Sequence, residues 1–568
     1  MSADSDPNSD RVIVIGAGAG GIAAGIALKT QLGPPNFTIY DSGDDVGGTW
    51  RDNTYPGCAS DVYTHWYSLS TDLNPNWDNT HVFQPQLFQY WQDVCRKYSL
   101  YEHCMFHNEA TAAQWDASAQ VWRVEVKNLR TGQSYIDTAK AIISAVGTLC
   151  VPNYPRDLDG VRTRFKGRFF HSARWDHSVD LRHKRVAVIG NGCSAAQFLP
   201  VIPKNQPFKS SISGEHRCGS SLAYAPFGSS EISLKIAYAV QIRRAYSELE
   251  KWIFRNIPIV MRLYRWGIVA WQEFLWLMIM TLGLKNPLRP PFMKYLTYYM
   301  KKKAPKKYHD ILTPDYPFGC KRLIVDTGYY DMLHRPNVAL SDDGIVDITE
   351  VGILTKNGKR FPFDVIILAT GFITDKYPFA VRGSKGITLD EYYEQHDGPT
   401  AYYGTAVPGF PNFFMLAGPN TTTGHGSVIF TEEVQVNYIM KLLKPILQGS
   451  VSSLTVTSEA TDAYNSTLQT KLSTSVWSAC DSWYHVRHTG KISSIWPGSF
   501  IQLWWRLRSP RWGDYEVVGA KEEWRKPRSK VRWVEMLYGV IVAGFVFWFD
   551  LPRRVWYIIW ATSRGAFR

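Results

Sequence analysis

The 568-residue sequence lacks any pair of cysteines at C-x-x-C spacing. Its eight cysteines (Cys58, Cys95, Cys104, Cys150, Cys193, Cys218, Cys320 and Cys480) are scattered, which argues against a bound metal and against a redox disulfide. Most of them read as small core residues. Residues 1–10 are polar and carry no leader pattern, so the body of the protein is expected to face a reducing cytosol. No zinc-finger spacing and no RNP-like pattern is present, which argues against nucleic acid as a partner. No low-complexity tract interrupts a globular composition of 45% hydrophobic and 20% charged residues. The length suits several domains of ordinary size. No apolar run reaches the roughly 20 residues with which a helix crosses a bilayer.

Acidic residues are the scarcer charge, 50 against 63 Lys+Arg, for a net +13. The excess sits in two segments: residues 235–307 carry +12 and residues 502–568 carry +7, which leaves −6 for the rest. Both are rich in Trp, Tyr and long apolar side chains, a mixture that suits an anionic membrane surface better than nucleic acid. A solvated basic face is the alternative. In the second segment, residues 536–549 (MLYGVIVAGFVFWF) are uninterrupted by charge. Arg525, Lys526, Arg528, Lys530 and Arg532 precede them, and Asp550, Arg553 and Arg554 follow. Basic residues on both sides give no orientation. This tail is expected to attach the protein to a membrane, as a short anchor or an interfacial helix. The alternatives are a terminal helix packed on the protein, and a cytoplasmic location.

What the chain does have is glycine placed directly after strands. Val12-Ile13-Val14-Ile15 runs into Gly16-Ala17-Gly18-Ala19-Gly20-Gly21, and Val186-Ala187-Val188-Ile189 runs into Gly190-Asn191-Gly192-Cys193-Ser194-Ala195. Such a run followed by G-x-G-x-x-G/A marks a dinucleotide-binding turn, where glycine lets the backbone approach a pyrophosphate at a helix N-terminus. The first turn is completed by a helix over residues 22–32, a strand over 37–40 and Asp41, an acid about 20 residues on that suits a ribose hydroxyl. Two such turns imply two cofactors and chemistry that passes electrons between them. Residues 141–147 and 364–372 each read as a buried strand entering a small-residue turn. They mark crossings between one dinucleotide domain and a second inserted within it. Residues 229–307 turn helical and aromatic (Trp252, Trp266, Trp271, Trp276), and their longest apolar run, 274–280, is too short to span.

Between the two turns lies Phe165-Lys166-Gly167-Arg168-Phe169-Phe170-His171-Ser172-Ala173-Arg174-Trp175, followed by Asp176. This resembles the F-x-G-x-x-x-H-x-x-x-W-[PD] motif of the type I Baeyer–Villiger monooxygenases, within the flavin-containing monooxygenases, through Phe165, Gly167, His171 and Trp175. A second family pattern, G-x-W-x4-[FY]-P-x3-D, is similar to residues 147–159. Leu149 replaces its tryptophan, while Tyr154, Pro155 and Asp159 match. Gly47-Gly48-Thr49-Trp50, Tyr55-Pro56-Gly57 with Asp61, and Cys320-Lys321-Arg322 with Tyr329-Tyr330 also look like this family. So do Gly418-Pro419-Asn420 and Trp496-Pro497-Gly498-Ser499. The resemblance covers residues 11–515 and leaves out the tail.

The resemblance implies an α/β fold with two Rossmann-like dinucleotide-binding domains, for FAD and NADPH, a helical insertion and a C-terminal hydrophobic tail. The FAD domain takes residues 1–160 and 351–520, the NADPH domain 161–350 with its insertion at about 229–308, and the tail 521–568. In such an enzyme NADPH reduces FAD, which reacts with O2 to give a C4a-peroxyflavin. The peroxide anion attacks a ketone carbonyl, and the adduct rearranges to an ester or lactone. Arg322 is then the catalytic arginine, whose permanently charged fork keeps the peroxide anionic, an effect of ~3 kcal/mol or more for preorganised donors. Asp61 orients it. Lys321 touches the nicotinamide cofactor, and His171 couples the domains rather than acting as a base. Without the resemblance Arg322, Asp61 and His171 would be a surface arginine, a loop-capping carboxylate and a structural histidine.

The implied cofactor contacts are Gly16, Gly18, Gly21, Asp41, Gly48, Thr49, Trp50, Tyr55, Asp61, Gly190, Gly192, Ser194, Gln197, Arg217, Lys321 and Arg322. One stretch departs from the family. Where an arginine after a strand should hold the NADPH 2′-phosphate, residues 208–217 offer Arg217 or Lys209, while Gly214-Glu215 would suit a free ribose hydroxyl. The aromatic insertion and the tail point to a lipophilic ketone as partner, beside O2. Two rival readings stand: a flavin monooxygenase that oxygenates nitrogen or sulfur, and a catalytically silent, membrane-attached FAD-binding protein. The intact glycine turns and the Asp61/Arg322 pair argue against the silent protein, and Trp175-Asp176 with Lys321-Arg322 favours ketone chemistry over the other.

Overall fold

Four-residue runs such as VIVI and VAVI offer no polar face to water, and they form the centres of two parallel sheets. The computed structural model describes residues 10–522 and Trp524, apart from 34–35, 156–157, 203–220, 225–238, 241–242, 281–284 and 288. Arg217, Lys209, Gly214, Glu215 and the tail segment 536–549 lie outside the described residues. The first sheet has the order Phe413–Met415, Ala141–Ser144, Val12–Ile15, Phe37–Tyr40, Cys104–Met105, with every neighbouring pair parallel. The second has the order Val338–Leu340, Ser221–Tyr224, Val186–Ile189, Val365–Leu368, Arg168–His171, again all parallel.

The second sheet therefore closes with Val365–Leu368, beyond the boundary expected at residue 350. A parallel strand needs a crossover before it can pair. Here the antiparallel strands Ile345–Thr349, Gly352–Thr355 and Arg360–Pro362 stand in that connection. The two crossings run side by side: the Asn153 amide donates to the Gly371 carbonyl at 2.8 Å, and the Ile373 amide to the Val151 carbonyl at 2.9 Å.

Both turns need glycine for steric reasons. Gly16 has φ +103°, and a Cβ there would sit 2.5 Å from the Ala145 carbonyl oxygen. Gly190 has φ +114°, with its Cβ position 2.3 Å from the Ala369 carbonyl oxygen. The helix after the first turn, Ala19–Gln31, starts inside the glycine run, three residues earlier than the apolar pattern predicts. It packs along the helix Val428–Leu447.

The insertion comprises the helices Glu248–Asn256, Pro258–Met280 and Arg289–Lys303. A capping box of Ser247 and Glu250 starts the first. The second helix buries Ile268 and Val269 with Val62, Trp66 and Phe500 of the body. Among the described residues no helix is long and apolar enough to cross a membrane.

The cysteines hold a correction. Cys320 and Cys480 form a disulfide across 160 residues of sequence, a pairing that local spacing cannot reveal. Cys58 and Cys95 are buried and unpaired, and Cys104, Cys150 and Cys193 are half-buried.

Candidate active site

The segment after Cys320 is fastened to the second glycine turn. The Tyr329 hydroxyl donates to Asn191 Oδ1 at 3.0 Å, and the Thr327 hydroxyl to the Ala196 carbonyl at 3.1 Å. Asp326 Oδ1 accepts from the amides of Gly328 and Tyr329, fixing the turn between them. From this strap Arg322 reaches back to the first domain. Its Nε donates to Asp61 Oδ2 at 2.9 Å and its Nη2 to Asp61 Oδ1 at 3.0 Å, a two-pronged fork. Nη1 donates to the Gly424 carbonyl at 3.4 Å. The two side chains keep 21% and 30% exposure, so the pair is open to a ligand.

Burial works against both charges, and the partner outweighs it in each. Burial alone would raise the Asp61 carboxyl, but Arg322 holds it below its usual range. Burial alone would ease a proton off Arg322, but Asp61 drives its basicity further up. Both remain ionised at neutral pH.

Asp61 is positioned by a seam that the sequence does not reveal. The Tyr55 hydroxyl donates to Gln197 Oε1 at 2.9 Å, and Gln197 Nε2 donates to the Ala59 carbonyl at 2.9 Å. The Ala59 amide adds a 3.3 Å bond to Oε1. The buried Gln197 amide, expected on the nucleotide, is thus occupied in sewing the helix Cys193–Phe198 to the 55–61 loop. Gly57 makes this approach feasible, since a Cβ there would lie 2.7 Å from the Gln197 carbonyl oxygen.

At the first turn, Gly48 has φ +49°, and its Cβ position falls 2.9 Å from the Gly18 Cα. Gly18 itself has only a distant neighbour at 3.7 Å, and Gly192 has none within 4 Å. Gly21 is required differently: its Cβ would strike the Gly16 carbonyl oxygen at 1.8 Å. Asp41 accepts from the amides of Ala17 and Gly43, both at 2.7 Å, and pairs with Arg51 at 2.6 Å. It braces the turn. Thr49 and Trp50 open the short helix Thr49–Asp52, where Trp50 Nε1 is buried without a partner. Ser194 sits in the first turn of the second glycine helix.

Further buried polar atoms without partners gather around Gly424: Thr423 Oγ1, both nitrogens of His425, and Ser427 Oγ. His425 stacks on Phe500 at 4.3 Å and near Trp276 at 5.8 Å. Burial, with the Arg322 charge behind it, pulls its imidazole down to about 3, so it is neutral. Glu432, beside Gly20, has an unpartnered Oε2 and a carboxyl pushed up to about 8 by burial and then by Glu433. None of these was singled out from sequence. The dense Thr/Gly/His/Ser run of residues 421–427, just before a long helix, was the available signal.

The motif of residues 165–175 packs on the crossings. Phe165 is buried, and Gly167 lies so close to the Asp364 carbonyl oxygen that a Cβ would sit at 2.5 Å. His171, 1% exposed, accepts from the Ala173 amide at 3.1 Å and lies 5.5 Å from the Tyr154 ring and 6.0 Å from Phe372. Burial pulls it down to about 4. Trp175 packs on Phe170 and Phe198. Lys321 holds its ammonium 4.7 Å over the Tyr316 ring, and burial lowers its basicity against Asp315 and Asp481.

Two glycine turns on two parallel sheets, joined by an arginine–carboxylate fork, define a two-cofactor oxidoreductase. Comparison with known proteins agrees. Residues 9–215 match the model of the flavin-binding monooxygenase-like family. A Baeyer–Villiger monooxygenase of Pseudomonas aeruginosa is 36% identical over 521 residues, covering 90% of this chain and 91% of its own length. One from Streptomyces coelicolor is 33% identical, covering 90% and 94%. Among solved structures, a closed cyclohexanone monooxygenase superposes with a TM-score of 0.76 at 23% identity, over 90% of this chain and 99% of its own. The chain belongs to the Baeyer–Villiger monooxygenases, a family of flavin-dependent oxidoreductases.

Proposed function

We propose that this enzyme uses FAD and NADPH to insert one oxygen atom of O2 beside the carbonyl of a lipophilic ketone, giving an ester or lactone. The observation that carries the reading is the Arg322–Asp61 fork, a fixed charge set between the two glycine turns. The residues fit both cofactors. The uncrowded Gly18 and Gly192 leave room for pyrophosphates at the starts of two helices, and the unpartnered Trp50, Thr423 and Ser427 supply donors and acceptors on the first-domain side. One solved structure described as a complex with FAD and NADP and another described as bound to NADP+ share the fold.

FAD, when bound, supplies the activation of O2, with electrons from NADPH. This chain does the rest. Gly16, Gly18, Gly21, Gly48 and Thr49 shape the first cradle, which Asp41 braces. Gly190, Gly192 and Ser194 shape the second, and Lys321 stands ready for the nicotinamide cofactor. Tyr55 and Gln197 hold the two cradles in register. Arg322, kept charged and oriented by Asp61, fixes negative charge where the activated oxygen meets the carbonyl. Neutral His425 with Trp276 and Phe500 builds an aromatic wall beside it and excludes water. His171 couples the domains from its place at the crossings. The basic, apolar tail holds the enzyme at a membrane, with the catalytic part facing the cytosol.

The test is product analysis of the purified enzyme with NADPH, O2 and a panel of lipophilic ketones, amines and sulfides. Esters or lactones from ketones support the reading. N- or S-oxides as the sole products refute it.

A further inference from the structure

The insertion helices carry apolar side chains on two opposite faces. The inner face is accounted for: Tyr246, Phe254 and Tyr264 surround the His65 ring at 5.3, 4.9 and 5.4 Å, and Ile268 and Val269 join the Trp66 cluster. The outer face is not. Leu249, Trp252, Ile259, Leu263 and Trp266 are 66, 53, 59, 62 and 53% exposed. On the helix Pro258–Met280, Ile259, Leu263 and Trp266 fall at i, i+4 and i+7, a single stripe. Leu249 and Trp252 lie at i and i+3 on the preceding helix, turned away from the same aromatic cluster.

The charge on this face is mainly basic, and the exposed Glu248 at its start pairs with Lys251. Residues 251–267 contain four Lys/Arg and no Asp or Glu. Lys251 is tied to Asp78 and Glu248, and Arg265 is buried near Glu433. Arg255 and Arg262 remain exposed among the apolar residues.

We infer that this outer face lies on an anionic lipid surface. Its tryptophans and aliphatic side chains enter the boundary between headgroups and acyl chains, and Arg255 and Arg262 meet lipid phosphates. Tryptophan prefers that boundary, and basic charge interleaved with apolar anchors is the composition of helices that lie in it. A second copy fits poorly, because a self-contact would set arginines against arginines. The contact also has a consequence for the active site. The same helix carries Trp276 at its other end, over His425 and next to the Gly424 carbonyl that accepts from Arg322. One helix thus runs from the lipid face to the reaction centre. Delivery of ketone from the bilayer along it rests on the proposed lipophilic substrate; the lipid contact does not.

The experiment uses the full-length holoenzyme carrying Leu263→Cys with a polarity-sensitive fluorophore, the labelled parent protein serving as background. The vesicles are phosphatidylcholine with or without phosphatidylserine. A blue shift on the phosphatidylserine vesicles is expected, with half-saturation about fivefold weaker for each of Arg255→Gln and Arg262→Gln. Ketone turnover without vesicles checks that both variants fold, and the unsubstituted arginines decide the matter if they do not. Vesicle binding with no change at position 263 would leave the tail contact standing and overturn this one. A shift that follows protein concentration without lipid would assign the face to a second copy, and that also overturns it. Ketone inactivity with an intact lipid shift would count against the proposed reaction only.

Discussion

Replacing Arg322 by alanine takes one fixed positive charge out of a fork while leaving both glycine turns untouched. The strap is held independently, by Tyr329 on Asn191 and by Thr327 on Ala196, so the backbone should stay in place. Asp61 loses two bonds but keeps 30% exposure, and water can take over part of the solvation. The folding cost should stay near ~1–3 kcal/mol, the penalty for an orphaned polar group. The catalytic cost is larger. Loss of one preorganised donor at a developing oxyanion typically costs ~3–4 kcal/mol, about a hundredfold to a thousandfold in rate. Arg322→Ala should therefore retain FAD and still consume NADPH, while ester yield per NADPH falls at least about a hundredfold and hydrogen peroxide takes up the difference. Arg322→Lys, which keeps charge but not the fork, should recover part of the loss. The assay follows flavin absorbance, NADPH, ester and hydrogen peroxide in the same sample. Near parental ester formation, tightly coupled to NADPH in Arg322→Ala, would remove the arginine from the mechanism.

Asp61→Ala should show the same uncoupling more mildly, because it orients the guanidinium; an ester yield lower than that of Arg322→Ala would reverse the assigned roles. Gln197→Leu takes one partner from the Tyr55 hydroxyl and leaves both polar groups of Ala59 without the side-chain amide, and should cost ~2 kcal/mol or more in denaturant unfolding; unchanged stability would refute the seam. Gly18→Ala should fold normally, since its Cβ would meet nothing closer than 3.7 Å, yet fill the cradle and weaken FAD binding by about tenfold or more; unchanged retention in a flavin titration would refute the cradle. Glu432 binds its proton up to about pH 8 when folded and only to about 4.5 when unfolded, so the parent protein should lose stability as pH rises through that window. Glu432→Gln should flatten the loss, ~5 kcal/mol at most; equal slopes in urea melts at the two ends would refute the buried neutral carboxyl.

Where backbone geometry forces the residue type, the sequence was legible. A glycine whose Cβ would overlap a carbonyl oxygen, as at Gly16, Gly21 and Gly190, has no substitute, so the turns announce themselves. Pairs brought together by the tertiary fold announce nothing locally. Arg322 and Asp61 lie 261 residues apart, and only family resemblance joined them before the structure did. No resemblance flagged Cys320 with Cys480, or the use of Gln197 as a stitch, because each depends on a partner chosen by packing. Where one domain hands over to the other depends on partners of the same kind. Residues 364–372 read as a crossing in sequence, and the sheet shows which domain their strand Val365–Leu368 pairs into.

The two sheets explain why the motif around His171 stands where it does. Gly16 rests on Ala145 and Gly190 on Ala369, and each alanine directly follows a sheet strand at the point where the chain leaves for the other domain. Two residues further on, each crossing turns through a left-handed glycine, Gly147 at φ +77° and Gly371 at φ +76°. Both nucleotide turns are therefore braced on the crossings themselves. Any rotation of one sheet against the other must act on both cradles at once. The His171 ring, buried near Tyr154 of one crossing and Phe372 of the other, sits where such a rotation would be felt first. A neutral, sterically locked ring suits that position better than a titrating one, since a charge gained there would be stranded in an apolar hinge. The geometry thus supports a positional role for the motif histidine, set apart from the proton chemistry that its residue type would suggest.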